Sequence, residues 1–317
     1  SISGLHVALV TGAAFFLVRG GLALVPALAL RLPVKKIAAV AALLLATGYI
    51  LISGMAVAAV RAYIMAAIVL VAILVERPAF TLRNVMLAGV AILLLGPDQI
   101  AGPSFQMSFA ATAAIIAGVE RGVFPRFSSP EASLPERALR GFATVVAANL
   151  VMSVLAEIAL LPIALHHFHR IAWYGALGNL LSFLLVDFVI MPAVLATLIA
   201  LPLGLEGFVL PILGWGCEEL NGIARWIGGQ EEAVTFTPGF GMGAMVAAAA
   251  ALAIATIART WLGLLAIPLY LAAVWQGAHE PLPLLRADAA GTSFALRMAD
   301  GRLGTVGEAR GRFAIGR

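Results

Sequence analysis

The chain has 317 residues and a mass of 32.9 kDa; 62% of them are hydrophobic, 11% are charged, and the mean hydropathy is +1.04. A soluble domain is roughly 45–50% apolar and about 25% charged, and disorder needs low hydrophobicity, so both classes are excluded. Long unbroken apolar runs, in place of alternating segments of about ten residues, exclude a β-barrel as well. What remains is an all-α polytopic membrane protein. The net charge of +4 and the pI near 9.7 point to anionic partners, which lipid head groups alone can supply. Cys217 is the single cysteine, so an internal disulfide and a multi-cysteine metal site are excluded.

A membrane span needs roughly 20 apolar residues. The first predicted span is Ile2–Val18, and the chain opens inside it without an initiator methionine, as expected of a fragment whose N-terminal part is missing. Gly20–Leu32 is apolar but short and broken by Pro26, which predicts an interfacial or re-entrant piece. Ile37–Ser53 and Met55–Val75 read as a close pair of spans. Asn84–Leu95 is too short to cross unaided, and Ser104–Val119 follows it. A polar linker, Glu120–Arg140, carries Pro125, Pro130 and Pro135. Gly141–Leu165, Ile171–Ile190 and Pro192–Leu205 come next, with Pro192 expected to divide two full spans. Phe208–Gly229 reads as amphipathic rather than spanning, because it keeps Glu218, Glu219 and Arg225 beside Trp215 and Trp226. Gly243–Ile257 and Trp261–Trp275 complete a set of about 9–11 transmembrane or re-entrant helices. Beyond them, Thr292–Leu296 and Arg302–Val306 alternate weakly around Asp300-Gly301, a hairpin signal. The domain reading is therefore a membrane channel domain over 1–276 and a small β-like appendage over 277–317, the remnant of a soluble domain.

Alternate loops differ in charge. Arg19, Arg31, Lys35 and Lys36, then Arg77 and Arg83, then Arg121, Arg126, Arg137 and Arg140 fall on one side. The intervening loops hold only Arg170. The positive-inside rule puts the basic side in the cytoplasm of a bacterial inner membrane. If Pro192 divides two spans, the acidic amphipathic segment and the tail lie in the periplasm.

Ionisable side chains within apolar segments are costly and raise a functional hypothesis. His6, Arg61, Glu157 and Asp187 qualify. A guanidinium cannot deprotonate there, so Arg61 must pair with Glu157 or Asp187, meet backbone carbonyls, or face water. Asn149, Ser153 and Glu157 share one helix face at i, i+4, i+8, and Asn179 and Ser182 share another at i, i+3. Ser104, Ser108 and Thr112 form a third stripe, with Gln106 opposite. Stripes of this kind either glue helices together or line a hydrated path, and three of them with four ionisable groups favour the path. His166, His167 and His169 form an interfacial cluster with no carboxylate or cysteine to complete a metal site. Ser3 and His6 bring a hydroxyl near an imidazole, but no third group orients the histidine. Walker, G-x-G-x-x-G and H-E-x-x-H motifs are absent, so no enzymatic activity, cofactor or metal is expected of this chain.

Four segments carry a resemblance: Ser3-Gly4-Leu5-His6-Val7; Gly54…Arg61-Ala62…Met65; Ser104-Phe105-Gln106-Met107-Ser108-Phe109; and Pro162…His167-Phe168…Gly178-Asn179. In that order they resemble the membrane competence domain of the ComEC family, over about residues 1–275. The resemblance implies an inner-membrane channel that passes one strand of incoming DNA into the cytoplasm during natural transformation. It implies single-stranded DNA and the lipid bilayer as partners, with a cytoplasmic helicase-type ATPase and periplasmic DNA-receptor proteins. Some members carry an OB-like domain before the membrane region and a metallo-β-lactamase-like domain after it. Here only His279 follows Trp275, so the H-x-H-x-D-H metal motif of the latter is missing. On this reading Ser3, His6, Arg61, Phe105, Gln106, Ser108, Asn149, Ser153, Glu157, Asn179, Ser182 and Asp187 are candidates to line the DNA path. Arg61 offers a charge to phosphates, and Phe105 offers a ring to bases. Two other function classes stay open: a proton-coupled secondary transporter of a small anion or metabolite working through Glu157 or Asp187, and an intramembrane hydrolase using Ser3 and His6.

Overall fold

The computed structural model describes the chain except residues 1–3, 26–29, 126–132, 232, 238–239, 259, 280–284, 288–292, 298–302 and 308–317. In chain order its helices are α1 (Gly4–Ala23), α2 (Val34–Ile52), α3 (Val57–Leu74), α4 (Leu82–Leu95), α5 (Pro103–Glu120) and α6 (Leu134–Phe168). They continue with α7 (Gly175–Leu185), α8 (Met191–Ala200), α9 (Glu206–Gly228), α10 (Met242–Ile257) and α11 (Ala266–Ala278). The strands are β1 (Arg170–Ala172), β2 (Val234–Phe236), β3 (Leu285–Ala287), β4 (Ser293–Arg297) and β5 (Leu303–Gly307).

Small side chains set the packing. α2 buries Ala38, Ala39, Ala42 and Ala46 along one stripe, and α1 and α3 close on it. α10 repeats the device with Ala244, Ala248 and Ala251. In lipid no hydrophobic effect drives helices together, so close approach over small residues supplies the attraction. The large apolar residues point outward: Leu94 is 81% exposed, Trp261 72% and Leu44 67%. Such a surface suits hydrocarbon and not water. Five helices are long and apolar enough to cross a membrane: His6–Ala23, Val34–Ile52, Val57–Leu74, Pro135–Phe168 and Gly175–Leu198. α1 runs on through Gly20 to Ala23, beyond the expected end at Val18; part of the expected re-entrant piece, 26–29, lies outside the described residues.

α6 has 35 residues, about 52 Å at 1.5 Å per residue. It begins at Leu134, inside what reads as a polar linker. Ser133 and Glu136 close a capping box, and Pro135 occupies the first turn, where no N–H is required. Its C-terminal half packs on α5, with Gly118 against Leu155. Its N-terminal third meets the chain after Tyr174, with Phe142 and Phe188 rings 6.4 Å apart. Pro162 is fully buried inside α6. Proline cannot give an N–H to the carbonyl four residues back, which is that of Ile158. The Tyr270 hydroxyl of α11 donates to this carbonyl instead, at 2.5 Å.

Pro192 does not divide two spans. α7 passes through a π-helical turn, Val186–Ile190, straight into α8, and Gly175–Leu198 is one apolar run. In the π turn Met191 N–H bonds to Val186 O, five residues back. The wider turn makes room for a proline ring that would otherwise meet the carbonyl at i−4. α9 keeps the amphipathic character expected of it and is not among the helices long and apolar enough to cross a membrane. It runs antiparallel along this rod: Gly178 faces Ile227 at one end, and Gly216 faces Val189 and Ile190 midway. The antiparallel β1–β2 ribbon, Arg170↔Phe236 to Ala172↔Val234, then joins the start of the excursion to its finish.

α10 leads from Phe240, beside α6's C-terminal turns, to the end of α5, where Arg121 donates to Thr256 O and Ala258 O. α11 returns antiparallel, placing Gly277 against the Phe240 ring, where a Cβ would overlap it. β3, β4 and β5 form an antiparallel sheet in that order, with the expected hairpin between β4 and β5. The Asp300-Gly301 turn itself lies outside the described residues.

Candidate functional site at the motif-bearing end of the bundle

The helix directions give the molecule two distinct ends. At one, the Lys36 ammonium pairs with Glu76 at 2.7 Å, and the Leu82 amide donates to Glu120. Arg77, Arg83 and Arg121 lie there too. The Lys36 hydrogen bond and charge hold the Glu76 carboxylate below its usual range.

The other end gathers the segments that carry the family resemblance. Gly4 opens α1 against Ala62, where a Cβ would stand 3.2 Å from the alanine methyl. Arg61, one residue earlier, reaches from α3 to the start of α5, and its Nη2 donates to Ser104 Oγ at 2.5 Å. Gln106 Nε2 donates to Ile100 O at 2.9 Å, which leaves the amide oxygen to accept from His167 Nε2, also at 2.9 Å. His166 Nδ1 donates to Phe240 O at 2.7 Å. Each imidazole therefore spends one proton on an acceptor and keeps its second nitrogen. These bonds tie α3, α5, α6 and the segment before α10 into one rim.

Arg61 is 6% exposed. Among the described residues no carboxylate lies within ion-pair distance of it, and its Nε has no acceptor. Pairing with Glu157 or Asp187, one of the three alternatives open to Arg61, is thus not what the fold makes. Glu157 accepts from the backbone N–H of Ala176 at the start of α7. Tyr174, the residue before that helix, offers no side-chain cap, so a carboxylate from the neighbouring helix serves the positive end of α7. Gly175 is what permits the approach, since a Cβ there would overlap Glu157 Oε1. Asp187 sits in the π turn and is exposed.

The Asn149–Ser153–Glu157 stripe meets the Asn179–Ser182 stripe as a seam between α6 and α7. Asn179 Nδ2 donates to Ser153 Oγ at 3.5 Å, and the buried Asn149 carbonyl has no partner among the described residues. Antiparallel packing brings Ser182 level with Asn149. Asn179 and Ser153 thus join the two helices, as polar side chains between membrane helices do. Phe105 is buried, its ring 4.4 Å from Phe109, and Phe109 in turn packs over Gly89. It presents no open face to a base. Ser108 lends its carbonyl to Thr112. His6 is exposed on the first turn of α1, while Ser3 lies outside the described residues, so the hydroxyl–imidazole pair has no described geometry.

Sequence reasoning missed the two contacts that join motifs, Arg61–Ser104 and Gln106–His167. The signal was the presence of one unpaired cation and one amide in separate short motifs, but pairing them needs the helix directions. It also missed Tyr270, which only the orphaned carbonyl behind Pro162 could have suggested.

The family model described as Competence protein matches residues 1–262. ComE operon protein 3 of Bacillus subtilis (strain 168) is 25% identical over 204 residues, which are 64% of this chain and 23% of that protein. The chain thus spans about a quarter of that relative's length. No solved structure matches it. The family match takes in all four motif segments and all five helices that are long and apolar enough to cross a membrane; the chain belongs to the Competence protein family and is a multi-pass membrane protein.

Proposed function

We propose that this chain is the membrane part of a DNA-uptake system of natural transformation, and that its helix bundle carries single-stranded DNA into the cytoplasm. The supporting observation is that the motif segments, far apart in sequence, meet in one rim at the end of the bundle opposite the basic residues. The positive-inside rule then sets the basic end in the cytoplasm of the inner membrane and the rim in the periplasm. The rim receives the strand from periplasmic DNA-receptor proteins, and a cytoplasmic helicase-type ATPase draws it onward. The chain itself hydrolyses nothing. α11 returns to the rim end, so the tail leaves on the periplasmic side.

The test follows labelled double-stranded DNA in a competent strain lacking the parent gene, with surface, periplasmic and cytoplasmic pools separated. DNA that reaches the periplasm but yields no cytoplasmic strand is the expected result. Unchanged cytoplasmic arrival overturns the proposal and returns the small-solute transporter to the lead.

A further inference from the structure

We propose that Arg61 and Ser104, at the N-terminal end of α5, form an oxyanion site that takes one phosphodiester of the passing strand. The inference rests on the strand-conduit reading and names where the strand is held.

The charge argument comes first. A guanidinium keeps its proton at any accessible pH, and an uncompensated buried cation is among the costliest features a fold can carry. Arg61 is 94% buried by its 6% exposure, and no carboxylate among the described residues stands within ion-pair distance. The two acids that could have served are placed elsewhere: Glu157 serves the start of α7, and Asp187 stands in the π turn. The fold thus holds a fixed positive charge whose counter-charge comes from outside the described residues.

The donors then specify the ligand. Arg61 Nη2 donates to Ser104 Oγ, and Nε has no acceptor. Accepting from arginine leaves the serine its own proton to give. Ser104 is exposed, so the buried charge lies one hydroxyl beneath an open position. Ser104 is also the second residue of an 18-residue helix. Pro103 has no N–H and the amides of Phe105 and Gln106 already donate to Gly102 O, so Ser104 N–H is the first-turn amide left without a backbone acceptor among the described residues, at the positive end of the helix dipole. The residue before this helix, Gly102, supplies no side-chain acceptor. The exposed Ser104 hydroxyl and amide, backed by the buried guanidinium, suit a singly charged, multi-oxygen anion. A phosphodiester is that anion. The site holds one phosphate by few contacts, which lets a strand advance without stalling.

The test uses the full chain in nanodiscs of zwitterionic lipid and a fluorescent dT oligonucleotide, with a second oligonucleotide of neutral methylphosphonate backbone. Wild type should bind the charged strand with a salt-dependent affinity. Arg61→Gln should weaken that binding by about tenfold or more, the scale of a lost charge-assisted hydrogen bond. Ser104→Ala, compared in nanodiscs that give the wild-type helical signal, should weaken it by several-fold. The methylphosphonate strand should bind weakly and equally to all three. Wild-type binding that neither substitution alters overturns the site while leaving the conduit reading intact. No binding by wild type, with no strand transport in cells, defeats the conduit reading itself. Phospholipid that copurifies with wild type, is lost in Arg61→Gln and is not displaced by the oligonucleotide makes the occupant a lipid head group and also overturns the assignment.

Discussion

The bond from Tyr270 to Ile158 makes a sharp energetic prediction. Pro162 leaves the Ile158 carbonyl without its helical donor, and Tyr270 Oη fills the vacancy at 2.5 Å from another helix. Removing the hydroxyl with Tyr270→Phe leaves a carbonyl unsatisfied in an apolar setting. An orphaned acceptor costs about 1–3 kcal/mol in a soluble core. Within membranes, interhelical hydrogen bonds measured by double-mutant cycles average about 0.6 kcal/mol, with a maximum near 1.7. The expected loss is therefore about 0.5–2 kcal/mol. Pro162→Ala restores an N–H at the position that would serve Ile158, so in that background Tyr270→Phe should cost close to nothing. The coupling between the two substitutions should recover most of the single-mutant loss. Equilibrium unfolding in mixed micelles, followed by tryptophan fluorescence, gives all four corners of the cycle. Additivity within about 0.3 kcal/mol, the spread expected of independent sites, refutes the claim that the tyrosine replaces a hydrogen bond the proline cannot make.

Two further outcomes follow from local geometry. Gly175→Ala puts a methyl where Glu157 Oε1 now lies and should destabilise by about 1–3 kcal/mol as an overpacked contact; Glu157→Ala, which only removes the cap, should cost about 0.5–2 kcal/mol, and Glu157→Gln less, because its amide oxygen still accepts from Ala176. Glu76 should titrate below the ordinary glutamate value of about 4.3 and return to it in Lys36→Ala, as read from its carboxyl carbon by NMR. Since its folded value is depressed, the pair's contribution is complete above the unfolded value and disappears as pH falls through the folded one.

Much of the helix count was legible because hydrocarbon imposes a simple rule: about 20 apolar residues for each crossing. α2 and α3 fall within a few residues of their expected bounds, and the β4–β5 hairpin lies where the Asp-Gly signal put it. Side-chain roles were less legible. A stripe such as Asn149–Ser153–Glu157 looks alike whether it faces water or another helix, because the 3.6-residue period reports a shared face and not its neighbour. What decides is the antiparallel seating of α7, set by Gly175 and Asn179 from a different segment. Phe105 is a related case. Its residue type does not say whether its ring lines a path or packs within the bundle, and the contact that seats its neighbour, Phe109 over Gly89, comes from another helix.

Two of the intrahelical prolines, Pro162 and Pro192, show why a residue's own chemistry underdetermines a topology. Proline removes one donor and crowds one carbonyl wherever it falls in a helix. At Pro162 the helix keeps its course and a tyrosine from α11 meets the orphan. At Pro192 the π turn widens the preceding turn, and the rod from Gly175 to Leu198 continues without a break. Treating Pro192 as a boundary therefore split one crossing into two. α9 runs back beside this rod, because its contacts to Gly178, Val189 and Ile190 are antiparallel and β2 must come back to β1. A proline's place in the sequence does not say which of these outcomes it meets; the widened turn and the β1–β2 ribbon, contacts made by other segments, decide the path.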